Sequence, residues 1–239
     1  MSVLFSIAGG VATVTLNRPE SRNALNLDMC ERLFSVCREI SSNPEMKLVL
    51  VRASGTVFCA GADLKERQGM DEAQVRERRM KGFAAYAALE ALPMPAIAVV
   101  HGPAVGSGCE IAAACDFIVA TPHASFRTPE ALRGTVGATQ RLPRILGKRL
   151  AKDMLLTGRE LSAEEAREGG LVSRLVSPLD LEKTVEEMAQ TILKAPQESL
   201  RLAKRCVDRG VELDPAGALA AEIEAIEEQF AKGSWMGKK

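Results

Sequence analysis

Residues 95–116 include side chains and backbone groups that could assist a reaction in which negative charge develops on an oxygen. The apolar run 96–100 predicts a buried strand, and 111–114 is strong helix-forming sequence. Residues 106–108 therefore lie where a helix begins, and the first backbone N–H groups of a helix have no partner within it. These donors stand at the positive end of the helix dipole, which suits a developing oxyanion, and Glu110 follows within one turn.

Two familiar glycine motifs do not fit this turn. A dinucleotide fingerprint would need a third glycine where Ile111 stands after Gly106 and Gly108. A nucleophile elbow would need glycine at Val105 and at Cys109. Two interpretations remain open: a packed turn whose glycines only permit close backbone approach, and an oxyanion site of backbone donors, which needs a second donor elsewhere.

A second loop, at positions 54–65, is also rich in small residues. It follows the apolar run 48–51, whose continuous apolar character favours a strand in a sheet covered on both faces. Loops at the carboxyl ends of such strands are where open α/β sheets bind ligands. The alternative is an ordinary connection with Gly61 in a left-handed turn.

Composition narrows the class of protein. The chain has 239 residues, with 31 basic against 31 acidic side chains, and no block of like charges that would bind nucleic acid or anionic lipid. No apolar run reaches the length of a membrane span and no export signal opens the chain, so a cytoplasmic location is expected. The six cysteines contain no C-x-x-C pair and are expected to be reduced core residues. With only two histidines, a histidine-based metal site is not expected.

The other patterns predict a single α/β domain with a helical extension. Positions 3–7 and 11–16 read as a hairpin around Gly9-Gly10, and 27–40 reads as a helix capped by Asn26. A helix from Asp71 to about Leu92 has a basic face of Arg76, Arg78, Arg79 and Lys81, which is expected to be solvated. The remaining predicted elements are a strand at 117–120, helical segments at 139–146 and 149–156 closed by Gly158, a capping box at 162–165, a short strand within 171–176, and helices at 178–193, 196–209 and 215–230.

Several motifs, in order and at characteristic spacing, carry a resemblance over nearly the whole chain. They are N-R-P at 17–19 with N-A-L-N at 23–26, F-C-A-G-A-D-L-K at 58–65, G-S-G-C-E-I-A-A-A-C-D at 106–116, F-R-T-P-E at 126–130, T-Q-R-L at 139–142 and A-R-E-G-G-L-V at 166–172. The chain resembles the crotonase superfamily of enoyl-CoA hydratases and isomerases. The resemblance implies an α/β fold of repeated ββα units in two sheets, with a core at 1–190, a helical trimerisation region at 191–239, and a homotrimer or dimer of trimers.

The resemblance also assigns roles to residues. It implies that the backbone N–H groups of Ala62 and Ser107 hold the thioester oxygen of an acyl-CoA, that Glu110 activates water, and that Glu130 protonates Cα. Acyl-CoA is then the partner, with no metal, redox cofactor, nucleic acid or membrane involved. The residues implied to contact substrate or CoA are Ala24, Leu25, Ala60, Gly61, Asp63, Leu64, Lys65 and Gly106, with Lys65 as the phosphate partner.

Possession of both glutamates favours a hydratase that converts a trans-2-enoyl-CoA to a 3-hydroxyacyl-CoA. Two departures from the family pattern keep an isomerase or another enolate reaction open: the segment between Glu130 and Thr139 is a few residues short, and the tail at 232–239 stops before the last family helix. Two remoter alternatives are a serine hydrolase with Ser107 as nucleophile and His101 or His123 as base, and a non-catalytic acyl-CoA- or RNA-binding scaffold.

Overall fold

The computed structural model describes residues 1–233, and this part contains nine strands and nine α-helices. The strands are β1 (Val3–Ala8), β2 (Val11–Leu16), β3 (Leu48–Ala53), β4 (Ala96–Val100), β5 (Ala104–Val105), β6 (Phe117–Ala120), β7 (Ser125–Arg127), β8 (Glu160–Ser162) and β9 (Arg174–Leu175). The helices are α1 (Leu27–Ser42), α2 (Leu64–Arg67), α3 (Glu72–Glu90), α4 (Ser107–Ala113), α5 (Arg141–Thr157), α6 (Ala163–Glu168), α7 (Leu181–Lys194), α8 (Gln197–Gly210) and α9 (Pro215–Ala231).

Two sheets organise the fold. The larger has the strand order β1-β2-β3-β4-β6-β9 and is parallel from β2 onward, while β1 pairs antiparallel with β2. The smaller has the order β5-β7-β8. Because β2, β3 and β4 are parallel neighbours joined through helices, their carboxyl ends lie at one edge of the sheet. The predicted α/β fold is confirmed.

Helices cover the larger sheet on both faces. Val49 and Val51 of β3 belong to the main hydrophobic core, which also contains buried residues of α1, α3 and α4. Leu48 and Leu50 belong to a second cluster, where Val185 of α7 packs. The continuous apolar character of β3 follows from this burial on both sides.

Three features that were predicted from neighbouring residues are present in the structure. Gly9 and Gly10 have φ of +56° and +85° and close the β1-β2 hairpin, as predicted. The Oδ1 atom of Asn26 accepts a hydrogen bond from the Met29 N–H at 3.0 Å, which caps α1 as expected. The capping box predicted at 162–165 is also formed, between Ser162 and Glu165.

The helical second half departs from the predicted bounds in detail. The two predicted segments at 139–146 and 149–156 form one kinked element, α5, because Gly147 has non-helical backbone angles (φ 74°, ψ 157°). Gly158 ends α5 in the left-handed conformation, as predicted. Within residues 1–233, no helix combines the length and apolar character needed to cross a bilayer. The predicted domain boundary at residue 190 falls within α7 and stays a prediction. The tail predicted to stop before the last family helix spans 232–239, and residues 234–239 lie outside the described part of the chain.

Candidate active site

The site is built where the loops after β3 and β4 meet. The Cys59 N–H donates to the Pro103 carbonyl at 3.2 Å, and the Val105 N–H donates to the Cys59 carbonyl at 2.8 Å. Gly61 has φ of +92°, and a Cβ there would lie 2.9 Å from the Val105 oxygen and 3.9 Å from the Ser107 nitrogen. Only glycine permits this approach, so the two loops predicted separately to bind a ligand lie against each other.

Ala62 and Ser107 both line one cavity of about 70 Å³. Ser107 is the first residue of α4, so its N–H has no acceptor within the helix. No hydrogen bond engages the N–H of either residue in the part of the chain that the structure describes. Two backbone donors from separate loops are therefore available at the cavity.

Glu110 lies on α4, in the wall of the same cavity, and is only 7% exposed. Its Oε2 atom accepts a hydrogen bond from Nη1 of Arg141 at 2.7 Å. Burial lowers the pKa of Arg141, but its hydrogen bonds to Glu90 and Glu110 outweigh that effect and raise the pKa. Glu110 thus faces the cavity beside a permanent cation.

Glu130 follows β7 and lines the cavity in a different environment. Its Oε2 atom is buried without a hydrogen-bond partner among the described residues. Burial raises the pKa of Glu130, and the nearby charge of Glu110 adds to that rise. Gly106 (φ +53°) is required here, because a Cβ at that position would overlap Oε1 of Glu130.

The N-R-P and N-A-L-N motifs hold the 58–65 loop in place. Asn23 is fully buried, and its side chain accepts from the Arg18 N–H and donates to the carbonyls of Ser54 and Val57, each at 2.8 Å. Nη1 of Arg18 reaches Oδ2 of Asp63 at 2.9 Å. Burial would raise the pKa of Asp63, but the hydrogen bonds from Arg18 and from the first N–H groups of α2 lower it.

The residues expected to contact CoA fall into two groups. Ala60, Gly61 and Asp63 pair by backbone hydrogen bonds with the segment that contains Ala24 and Leu25: the Leu25 N–H donates to the Gly61 carbonyl at 2.7 Å, and the Asp63 N–H donates to the Leu25 carbonyl at 2.9 Å. Leu64 and Lys65, at the exposed start of α2, lie beside this pairing. The structure therefore brings the two predicted segments together, while the carboxylate of Asp63 caps α2.

The expectation of a solvated basic face on α3 is wrong for Arg78. That side chain is buried, makes an ion pair with Glu66 at 3.2 Å and donates to the Leu25 carbonyl. Arg79 lines the cavity, donates to the Val136 carbonyl and lies 5.9 Å from the centre of the Phe83 ring. The spacing of the basic residues on α3 is typical of a solvated helix face. Arg78 and Arg79 differ from solvated residues only through their hydrogen-bond and ion-pair partners, which are distant in sequence.

Sequence reasoning also missed Tyr86 and did not assign a role to Arg141. Tyr86 of α3 is buried in the cavity wall, where burial raises the pKa of its phenol and the nearby Ser107 side chain offsets part of that rise. Tyr86 stands at a position that follows the helical spacing of apolar residues, so the sequence gives no local sign that its side chain reaches a cavity. Arg141 lies in the T-Q-R-L motif, which was the one available signal.

No histidine or cysteine lines the cavity in the described part of the chain. Nε2 of His101 lies 2.8 Å from the Gly55 carbonyl oxygen, and His123 is exposed. All six cysteines are free and five are buried, and burial raises the pKa of Cys30 to about 11. No group of three or more potential ligands from histidine, cysteine, aspartate and glutamate is arranged to hold a metal within residues 1–233.

Fold and site together define a crotonase-fold protein, and comparison with known proteins gives the family. The family model described as enoyl-CoA hydratase/isomerase matches residues 6–237. The chain belongs to the enoyl-CoA hydratase/isomerase family.

Relatives and solved structures agree with this assignment. The chain is 38% identical over 234 residues to a short-chain-enoyl-CoA hydratase of Clostridium acetobutylicum, covering 96% of this chain and 90% of the relative. It is 36% identical over 225 residues to a crotonyl-CoA hydratase of Syntrophomonas wolfei, covering 92% and 86%. A crystal structure of an enoyl-CoA hydratase from Bacillus anthracis superposes with a TM-score of 0.92 at 36% identity, covering 95% of this chain and 90% of that one.

Proposed function

We propose that the protein is an enoyl-CoA hydratase that adds water across the double bond of a short trans-2-enoyl-CoA to give the 3-hydroxyacyl-CoA. One observation carries the proposal: two glutamates in unlike environments, Glu110 beside a cation and Glu130 with its Oε2 atom buried and without a partner, line one cavity with Ala62 and Ser107, whose N–H groups are unpaired. Hydration needs a base and an acid at once, and unlike environments allow two glutamates to divide these roles.

In the proposed mechanism, the thioester oxygen accepts hydrogen bonds from the N–H groups of Ala62 and Ser107. Glu110 removes a proton from water as the water oxygen bonds to Cβ, and the electron pair of the double bond moves toward the thioester oxygen as enolate character. Glu130, whose pKa burial raises so that its protonated form is favoured, delivers a proton to Cα. Proton exchange with solvent then restores both glutamates. The net reaction is a redox-neutral addition of water, for which we propose no metal and no redox cofactor.

Charge stabilisation and proton transfer supply the rate enhancement. A preorganised oxyanion donor is typically worth about 10² to 10³ in rate. Each positioned proton transfer contributes about 10² to 10⁴. We propose Ala24, Leu25, Ala60 and Lys65 as contacts for the CoA portion, because they lie on the 58–65 loop, whose Ala62 lines the cavity, or on the segment that pairs with it by backbone hydrogen bonds.

Two relatives support a short acyl group. Their named activities, in Clostridium and Syntrophomonas, are on short-chain enoyl-CoA and crotonyl-CoA. Phe83, Tyr86 and the buried Ala138 line the cavity of this chain and give it a partly apolar wall. We therefore propose crotonyl-CoA as the test substrate.

The test is hydration of crotonyl-CoA, followed as loss of the ultraviolet absorbance of the conjugated thioester. Glu110→Gln and Glu130→Gln should each lower kcat by at least about 10². Glu168→Gln, an exposed glutamate on α6, is the matched control and should retain wild-type turnover. Undiminished turnover in either site variant would remove that residue from the mechanism.

Isomerisation is the second candidate, favoured because Oε2 of Glu110 is engaged by Arg141, whereas Oε2 of Glu130 has no partner within the described residues. Exchange of the Cα hydrogen with deuterated solvent, without net hydration, would support it.

A further inference from the structure

Arg141 joins two acidic residues on separate helices. Its Nη1 atom donates to Oε2 of Glu110 at 2.7 Å. The Nε and Nη2 edge of the guanidinium donates to Glu90 at the end of α3, with Nη2 to Oε2 at 2.6 Å and Nε to Oε1 at 3.2 Å. The paired contacts with Glu90 fix the plane of the guanidinium, so Nη1 is presented to Glu110 in one orientation.

This arrangement is shielded from solvent on the Glu110 side. The side chains of Arg141 and Glu110 are 18% and 9% exposed, whereas that of Glu90 is 53% exposed. A charge pair that is buried away from water interacts more strongly than a pair on the surface. Glu90 therefore serves as an outer support, and the Arg141–Glu110 pair is the contact that reaches the cavity.

Only one oxygen of Glu110 is engaged. Within the described residues, Oε2 accepts from Arg141 and no hydrogen bond engages Oε1. An ionised carboxylate with one oxygen held by a cation keeps the other free to accept a proton from water.

Other charged and titratable groups surround Glu110 from several elements. Those from the packed helices and loops are Arg67 of α2, Arg78, Arg79 and Tyr86 of α3, Cys109 of α4, Glu130 after β7 and Arg141 of α5. Strands β5 and β6, which also pack against α4, contribute no titratable side chain. Arg78 is committed to Glu66, and Arg79 donates to the Val136 carbonyl, so Arg141 is the cation in direct contact with Glu110.

We propose that Arg141 is a positioning residue that holds the carboxylate of Glu110 in place as the base, by charge pairing and by a hydrogen bond, with Glu90 fixing the orientation of Arg141. This inference rests on the proposed hydratase function and deepens it: the division of labour between the two glutamates is set by an arginine outside that pair. Without the cation, the negative charges of Glu90 and Glu110 would lose the partner that they share.

The test compares pH profiles of kcat/KM for crotonyl-CoA. Arg141→Met, which removes the charge and keeps an apolar stem, should lower kcat about 10²-fold at neutral pH with KM within about threefold, and should move the acid limb upward by about one pH unit. Arg141→Lys should recover about tenfold, because a point charge replaces the cation but cannot bridge both acids. Arg144→Met, one turn along α5 and 57% exposed at its pair with Glu212, is the matched control and should behave as wild type.

A merely structural role predicts a different pattern. If Arg141 only anchors α5, Arg141→Met would lose stability and activity without displacing the acid limb, and that result overturns the proposal. Should Arg141→Met fail to fold, Glu90→Gln provides the same test, with an expected three- to tenfold loss of kcat, about as large as one weakened hydrogen bond, and a smaller displacement in the same direction. An undisplaced acid limb in a folded Glu90→Gln variant would then overturn the proposal.

Failure of the proposed function can be told apart from failure of this inference. Difference infrared titration of each protein against its Glu110→Gln variant follows the Glu110 carboxylate without turnover. We expect its carboxylate band to persist to lower pH in wild type than in Arg141→Met. If wild type does not hydrate crotonyl-CoA but the band difference is present, the function fails and the positioning role stands; if wild type hydrates and the band difference is absent, the positioning role fails.

Discussion

Replacing Gly106 by alanine should damage the site at a single, calculable point. Gly106 has φ of +53° and ψ of −108°, and an added Cβ would overlap Oε1 of Glu130. This positive-φ backbone conformation costs a non-glycine residue about 1–3 kcal/mol, and displacing the end of the flexible Glu130 side chain adds little to that cost. We therefore expect Gly106→Ala to lower the free energy of unfolding by about 1–3 kcal/mol.

The overlap also has a catalytic consequence. To relieve it, either the carboxylate of Glu130 or the start of α4, which carries the Ser107 N–H, must shift. Loss of either one aligned donor or one positioned proton transfer should lower kcat by at least about 10². Urea unfolding gives the stability change, and crotonyl-CoA hydration gives the rate.

Gly134 provides the control. It also has a positive φ, of +69°, in the segment after Glu130, but a Cβ there meets nothing within 4 Å. Gly134→Ala should therefore show the backbone strain of about 1–2 kcal/mol without the loss of kcat. Equal losses of kcat in the two variants would refute the reasoning that Gly106 is required by contact with Glu130.

Three further outcomes are expected. Burial raises the pKa of Glu130 above its ordinary 4.5, so ionisation of Glu130 destabilises the fold as pH rises through that raised pKa. Glu130→Gln should therefore be more stable than wild type at pH 7 to 8. In urea titrations, this difference in stability should disappear below about pH 4. Asp63 has a lowered pKa, so the stability it contributes is present above about 3.8 and is lost as pH falls, and Asp63→Asn should flatten the acid side of the stability profile. Asn23→Ala should lower the free energy of unfolding by about 2–4 kcal/mol, because it leaves the Ser54 and Val57 carbonyls without the Asn23 donor. It should also raise KM for acyl-CoA. An unchanged KM would show that Asn23 does not hold the binding loop.

The sequence contains enough local information for most elements of this fold. The hairpin around Gly9-Gly10, the Asn26 cap and the Ser162 capping box each depend on residues within a few positions of one another, and each was predicted correctly. The burial of β3 on both faces was predicted from its uninterrupted apolar run. Local chemistry decides these features, so one sequence suffices to find them.

Features that depend on distant partners were missed or misjudged. Arg78 was taken for a surface residue, yet it pairs with Glu66 and with a carbonyl 53 residues away in sequence. Arg141 reaches Glu110 across 31 positions and Glu90 across 51, and no periodicity encodes such a pairing. The positions of Ala62, Ser107, Glu110 and Glu130 were predicted from the family resemblance, and their roles stay predictions until the variants are measured.

The most direct measurement of the central claim is a crystal structure with an unreactive short acyl-CoA thioester bound. The account predicts that the thioester oxygen lies about 2.7–3.1 Å from both the Ala62 and the Ser107 nitrogen, with the carboxyl groups of Glu110 and Glu130 beside Cβ and Cα. A thioester oxygen turned away from either amide, or an acyl chain bound outside this cavity, would contradict it.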